Sequence, residues 1–103
     1  MAMDPVGGCF NSGVQTADAL ITTGAGYLYG LVVITDGTNA LTVAVYDNTS
    51  ASGVLIVPTL QYPVTPRNNV HWFFPGIQFN LGIYVDITLG AGACAYSVYF
   101  QKI

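Results

Sequence analysis

Residues 27–47 constrain the fold of this chain most strongly, because they contain two apolar runs separated by a short polar segment. The runs, residues 27–35 and 41–47, consist largely of Val, Ile, Thr, Tyr and Leu, which suit the pleated, packed surface of a β-sheet. The polar segment begins with Asp36-Gly37, and glycine accepts the positive φ of a tight turn. This pattern predicts two strands joined as a β-hairpin.

The first run is apolar on both faces of the predicted strand. Successive side chains of a strand point to opposite faces. One face carries Leu28, Val32 and Ile34, and the other carries Tyr27, Tyr29, Leu31 and Val33. A strand of this kind needs cover on both sides. We therefore expect it at the centre of a sheet, packed against a second sheet or a partner chain.

The rest of the chain repeats this pattern of short apolar segments between turn residues. The segments are residues 12–23, which fit two short strands or one bent strand with a bulge, then 54–57, 59–66, 70–74, 77–81, 83–89 and 93–101. Prolines make 59–66 an edge strand or an extended connection, and Pro75-Gly76 is expected to end the aromatic strand 70–74. No window has a helical period, and the 12 glycines disfavour helix.

Seven or eight short strands at regular turn spacing indicate a β-sandwich or a small barrel. We favour an all-β fold, a single-domain antiparallel β-sandwich with jelly-roll-like connections. Residues 12–103 form this domain in our interpretation. Residues 1–11, with Pro5 and the Gly7-Gly8 pair, are predicted to be an irregular N-terminal arm.

The scarcity of charge points towards an assembly. Charged residues make up 7% of the chain, against about 25% in an average protein. A surface so poor in charge is tolerable when much of it is buried between subunits, which predicts a homo-oligomer (dimer or trimer) or a subunit of a larger particle. Arg67 and Lys102 are the only Lys or Arg residues, too few to neutralise several phosphates, so we expect no nucleic-acid partner.

No membrane partner is expected either, because no apolar run approaches the roughly 20 residues of a membrane-spanning helix. The N-terminal sequence has neither the basic nor the apolar region of a secretory signal, so synthesis in a cytoplasm is predicted. In that compartment Cys9 and Cys94 are expected to be free thiols, although a bridge between them is geometrically possible.

Residues that could carry out chemistry are few. His71 is the only histidine, there is no Glu, and no G-x-S-x-G turn presents a serine, so we predict that the chain is not an enzyme. Asp36, Asp47 and Asp86 lack the spacing that places successive oxygens around a calcium ion. We therefore expect no metal site and no cofactor.

Aromatic side chains remain as the candidate contact residues. Tyr62, Trp72, Phe73 and Tyr84 could form a flat platform for a sugar, or could equally belong to the core or to subunit contacts. Trp72 and Phe73 are adjacent in a strand, so their side chains must face opposite sides. The low charge favours the subunit-contact interpretation of these four residues.

Three segments together resemble small virion proteins of tailed bacteriophages and prophages. They are residues 26–33 (GYLYGLVV), 43–53 (VAVYDNTSASG) and 82–90 (GIYVDITLG), and the likeness extends over most of the chain from about Val14 onward. Similar proteins often have an F-P-x-G turn directly before the G-I-Y-V strand. Here residues 77–81 separate Phe74-Pro75-Gly76 from that strand.

This resemblance implies a β-sandwich module on a phage particle, made in the host bacterial cytoplasm. A capsid cement (decoration) protein would stabilise the shell by bridging neighbouring subunits of the major capsid protein. A tail or fibre module that binds a receptor or glycan is the alternative. The N-terminal arm and residues 60–66 are the segments expected to clamp a neighbour, and the resemblance supplies no catalytic residues.

Overall fold

The computed structural model describes residues 9–89 and 94–103. These residues form nine strands and no helix. The strands are β1 (Phe10–Asn11), β2 (Ala19–Thr23), β3 (Gly26–Ile34), β4 (Leu41–Asp47), β5 (Val54–Leu55), β6 (Leu60–Tyr62), β7 (Asn68–Phe79), β8 (Gly82–Leu89) and β9 (Ala95–Lys102).

The strands form two antiparallel sheets that pack face to face. The first sheet has the order β1-β9-β3-β7, and the second has the order β2-β8-β4-β5, with β6 also paired to β4. The chain crosses from one sheet to the other at almost every connection, as in a jelly roll. The predicted all-β sandwich is confirmed.

The core lies between the sheets and follows the period-two alternation of the strands. In β9 the buried side chains are Tyr96, Val98 and Phe100, and in β4 they include Leu41, Val43 and Val45. β3 lies between β9 and β7, which confirms its predicted central position. Its inner side chains are Leu28, Leu31 and Val33. The predicted grouping of Leu28 with Val32 and Ile34 is wrong, because a register shift between Leu28 and Gly30 interrupts the alternation.

The predicted hairpin of β3 and β4 is wrong. β3 pairs with β7 and β9, whereas β4 pairs with β8, β5 and β6 in the opposite sheet. The turn signal itself was correct, since Gly37 has a φ of 85° and the Asp36 carboxylate accepts the N–H groups of Thr38 and Asn39 at 2.9 and 2.8 Å. Such a turn specifies local backbone geometry and leaves open which sheet the next strand joins.

β7 is longer than predicted at both ends. It begins at Asn68, within the expected turn, and continues through Pro75-Gly76, which was expected to end it. Among the strands that the structure describes, β7 pairs only with β3, and an edge strand tolerates proline. The ladder also shifts there, because Trp72 pairs with Gly30 whereas Ile77 pairs with Leu28, so residues 73–76 form a bulge opposite Tyr29.

The N-terminal segments are partly ordered by β8 and β9. Of the predicted segment 12–23, Gln15 forms an isolated bridge with Tyr96, and Ala19–Thr23 form β2, which has a register shift between Leu20 and Thr22. Of the predicted arm, residues 1–8 lie outside the described residues. Phe10–Asn11 form β1 and pair with β9, where the Phe10 and Phe100 rings lie 5.8 Å apart.

Candidate functional site

The most unusual surface of the molecule is the outer side of the first sheet, which we call the aromatic face. It consists of Tyr29, Val32, Ile34, Val70, Trp72, Phe74 and Tyr99, from strands β3, β7 and β9. These side chains point outward because the alternate residues of β3 and β9, such as Leu31 and Val98, are buried in the core.

Register brings the rings of the aromatic face together. Gly30 pairs with Trp72 on one side and with Tyr99 on the other. As a result the Trp72 ring lies 5.3 Å from the Tyr99 ring and 6.5 Å from the Phe74 ring, and Phe74 lies 6.2 Å from Tyr29. These distances are typical of interacting aromatic pairs.

A glycine makes room for the indole at the centre of this cluster. A Cβ atom at Gly30 would lie 2.3 Å from two carbons of the Trp72 ring, so the ring rests directly on the backbone of β3. Despite this support Trp72 is 50% exposed, and Phe74 is 77% exposed. The face therefore offers large apolar groups in fixed positions to an external partner.

The aromatic face is also free of charge. β3 and β7 contain no Asp, Glu, Lys or Arg, and β9 contains only Lys102 at its end. The Lys102 ammonium donates to the Thr23 carbonyl and to the Thr22 hydroxyl, away from the aromatic cluster. A partner of this face would be held by apolar burial and shape, with little electrostatic attraction.

The four aromatic residues predicted from the sequence do not form one surface. Trp72 lies on the aromatic face, whereas Phe73 is partly buried and packs against the core, as the alternation required. Tyr62 is 3% exposed, because β6 places it opposite Leu41 on the inner side of the second sheet. Tyr84 lies on the outer side of the second sheet, between buried Ile83 and Val85.

The residues that sequence reasoning missed are mainly Val70, Phe74 and Tyr99. Val70 and Phe74 could have been found, since they lie two positions from Trp72 on the same strand and thus on the same side. Tyr99 had no such signal, because its position beside Trp72 depends on both strands pairing with β3.

Several titratable side chains outside the aromatic face pack against or within the core. The His71 ring turns inward, 5.6 Å from the Tyr62 ring, where burial raises the pKa of Tyr62 to about 12. Both cysteines are free thiols, and burial raises the pKa of Cys94. Within residues 9–89 and 94–103, no three His, Cys, Asp or Glu side chains gather as metal ligands. The absence of enzymatic activity stays a prediction.

Three aspartates bind backbone N–H groups. Asp36 accepts hydrogen bonds within its own turn. The side-chain amide of Asn39 contributes most, and the backbone N–H groups of Thr38 and Asn39 contribute next, to a pKa of Asp36 well below its usual range. Asp18 accepts the Ile87 N–H at 2.8 Å, and Asp47 accepts two N–H groups of the turn between β7 and β8. These contacts explain the loop aspartates as turn-forming residues.

Comparison of the chain with models of protein families, with curated proteins and with solved structures gave no match. The part of the chain that the structure describes contains no helix that could span a membrane. Fold and surface together define a class: a small jelly-roll sandwich with an exposed, uncharged aromatic sheet face.

Proposed function

We propose that this chain is a structural protein of a phage particle, a capsid cement protein that bridges neighbouring capsid subunits. The observation that carries the proposal is the aromatic face, where Trp72 and Phe74 stand exposed on a rigid sheet. Exposed groups of large apolar side chains commonly mark contacts with other proteins. The resemblance of residues 26–33, 43–53 and 82–90 to phage virion proteins supports a virion as the place of that contact.

The fold is compatible with this role without requiring it. Jelly rolls occur in viral capsid proteins and in lectins, and a fold by itself does not determine function. What favours assembly over ligand binding is the lack of charge on β3 and β7 and the scarcity of hydrogen-bonding side chains among the exposed rings. Such a surface suits a protein–protein contact from which water is excluded.

Bridging needs a second contact besides the aromatic face. A specific interface buries about 800 Å² on each partner, so the aromatic face would contact one capsid subunit and a separate surface would have to contact the other. Residues 60–66 are the proposed second contact, because β6 pairs with β4 alone among the described strands and belongs to the opposite sheet. The cement protein would then hold one capsid subunit on each side of the sandwich.

Binding to capsids assembled without this protein tests the proposal. The wild type is expected to bind them equally at about 0.1 M and about 1 M salt, although the Debye length falls from about 10 to about 3 Å. The double variant W72S/F74S should bind at least about tenfold more weakly, a loss of about 1.4 kcal/mol. The matched control V54S/L81S removes exposed apolar side chains elsewhere and should bind like the wild type.

Two outcomes would contradict the cement function. Binding that collapses between low and moderate salt would show an electrostatic contact instead of an apolar one. Equal binding by W72S/F74S and the wild type would exclude the aromatic face as the contact. Circular dichroism of each variant confirms that the loss is not unfolding.

A tail or fibre module that binds a glycan is the second candidate. The Trp72 and Tyr99 rings are adjacent, and Ser97 donates to the Tyr99 hydroxyl at 3.2 Å, so stacking and hydroxyl groups occur together. Antibody labelling of intact particles separates the two functions, because label on heads supports cement and label on tail tips supports the glycan module. A change of Trp72 fluorescence on adding host surface polysaccharide would also favour the second candidate.

A further inference from the structure

β7 has an open edge that differs from most edge strands. It is 12 residues long, and no described strand pairs with its side away from β3. Edge strands are usually protected by charges, prolines, bulges or shortness, since an open edge can pair with another chain. Residues 68–72 have none of these protections, because Pro75 and the bulge come later in the strand.

The hydrogen-bond pattern shows which residues point their backbone N–H and C=O groups along this open edge. The Thr35 N–H donates to the Arg67 carbonyl at 2.9 Å, so Arg67 turns its backbone towards β3. Because bonding direction alternates along an antiparallel strand, Asn69 and His71 also turn towards β3. Asn68, Val70 and Trp72 then point their N–H and C=O groups away from it, along the open edge.

Strand β9 provides an independent check of this assignment. Tyr96 exchanges both backbone bonds with Gln15, at 2.8 and 2.9 Å, on the side away from β3. Ser97 must therefore bond towards β3, where it pairs with Val32. Since Val32 bonds to β9, its neighbours Leu31 and Val33 bond to β7, opposite His71 and Asn69. The two strands give the same result.

We propose that the open edge of β7 pairs with the same edge of a second copy of this chain, about a two-fold axis at Val70. Val70 of each copy lies opposite Val70 of the other, and Trp72 lies opposite Asn68. All three outward-bonding residues then form hydrogen-bonded pairs, each exchanging both N–H···O bonds. The first sheets of the two copies join into one continuous sheet. This inference does not rest on the proposed function.

A second copy fits this edge better than an arbitrary peptide for two reasons. The outward-bonding residues, Asn68, Val70 and Trp72, are placed symmetrically about Val70, so antiparallel self-pairing leaves none of them unpaired. No charged residue lies in β7, so two copies meet without the like-charge repulsion that opposes self-pairing. The joined sheet leaves Phe74 and Tyr99 uncovered and places two aromatic faces side by side.

The contact area sets the expected strength. Pairing of residues 68–72 covers mainly the backbone edge of β7 and the flanks of Val70 and Trp72, which are 52% and 50% exposed. Such a contact is smaller than the roughly 1,200–2,000 Å² of a stable interface. We therefore expect a dimer that dissociates in the micromolar range, with a free energy near −8 kcal/mol.

Charge substitution at the proposed axis tests both pairing and register. Sedimentation velocity over a range of concentrations is compared for the wild type, V70K and V70D. Each variant places two like charges opposite each other, so each should dimerise at least about tenfold more weakly. An equimolar mixture of V70K and V70D places Lys opposite Asp and should recover the dimer. Recovery also shows that both variants are folded.

The control V54K introduces the same charge at Val54, which is 71% exposed in β5, a short edge strand of the second sheet. It should dimerise like the wild type. A monomeric wild type, a trimer, unaffected dimers of V70K, failure of the mixture to recover, or dissociation of V54K would each overturn the proposal.

Discussion

Two buried tyrosines show how much depends on a single hydroxyl group. Tyr96 donates its hydroxyl proton to the Ala17 carbonyl at 2.7 Å. The Tyr62 hydroxyl is equally enclosed but has no hydrogen-bond partner among the described residues. Burial raises the pKa of both phenols, because the phenolate would lose its hydration. Of the two neutral hydroxyl groups, only that of Tyr96 replaces its lost hydrogen bonds to water with a hydrogen bond inside the protein.

We therefore expect opposite results from removing the two hydroxyl groups. Y62F should leave the free energy of unfolding unchanged or raise it by about 1 kcal/mol, since it removes an unsatisfied polar group. Y96F should lower it by about 1–2 kcal/mol, because it leaves the Ala17 carbonyl without its donor. Denaturant unfolding at neutral pH measures both. Equal losses in Y62F and Y96F would contradict this account.

The Asp86 and Asp18 carboxyl groups lie side by side. Burial, and then the hydrogen bond and the charge of Asp18, raise the pKa of Asp86 above its usual value of about 3.8. An acid whose pKa is raised by folding gains stability when protonated, and this gain is lost as the pH rises through the raised pKa. At neutral pH the two carboxylates therefore oppose folding slightly.

D86N should remove this repulsion. At neutral pH the free energy of unfolding of D86N should exceed that of the wild type by about 0.5 kcal/mol, which raises its thermal midpoint. The difference should vanish below about pH 3.8, where the wild-type Asp86 is protonated in both the folded and the unfolded state. D18N is the comparison, because it removes the same repulsion but weakens the hydrogen bond from the Ile87 N–H, which an amide oxygen accepts less strongly than a carboxylate, so its benefit should be smaller. A stabilisation that persists at acid pH would argue against the carboxylate pair as its cause.

At the scale of elements, Asp47 at the end of β4 connects two distant parts of the chain. Its carboxylate accepts the N–H of Asn80 at 2.9 Å and that of Leu81 at 2.7 Å, in the turn that leads into β8. The next residue, Gly82, is packed so closely that a Cβ atom would lie 2.5 Å from the Thr22 carbonyl oxygen. Two segments of the phage-protein resemblance thus meet at this turn.

Removing the Asp47 carboxylate should destabilise the fold. D47A leaves both N–H groups of the β7–β8 turn without an acceptor and is expected to cost about 1 kcal/mol, as does the loss of a helix-capping side chain. D47N retains one acceptor oxygen and should cost less. Denaturant unfolding of the three proteins gives the order. If D47A and D47N were both as stable as the wild type, water would satisfy the turn equally well.

The contact between Gly30 and the Trp72 ring is also a property of paired elements, because it depends on the register of β3 with β7. G30A places a methyl group where the indole rests, and overpacking of this kind costs about 1–3 kcal/mol unless the ring moves away. We expect a loss of stability together with a red-shifted Trp72 emission. An unchanged spectrum and an unchanged unfolding midpoint would mean that Gly30 is not needed at this position.

At the scale of the whole molecule, the strand pairs join segments that are far apart in the chain. β1 pairs with β9, β2 with β8 and β3 with β9, so the ends of the sequence must meet before either sheet is complete. Folding that depends on such distant pairing is slow, since loop closure costs entropy before the contacts form.

The chain should therefore fold in milliseconds to seconds. Stopped-flow refolding followed by Trp72 fluorescence measures this time, because the indole acquires its neighbour Tyr99 only when β3 has paired with both β7 and β9. Folding within microseconds would show that local contacts dominate instead.

The sequence by itself determined the fold class, the central place of β3 and the inner faces of β4 and β9. The inner faces of β4 and β9 follow from the alternation of apolar residues, the central place of β3 from its being apolar on both faces, and the fold class from short apolar segments between turn residues. These are local properties of each segment. Tertiary structure alone decided that β3 and β4 join different sheets, that β7 continues through Pro75, and that Tyr62 is buried. It also placed Tyr99 beside Trp72. Pairing is decided by competition among all the strands for partners, and no single segment of sequence contains that information.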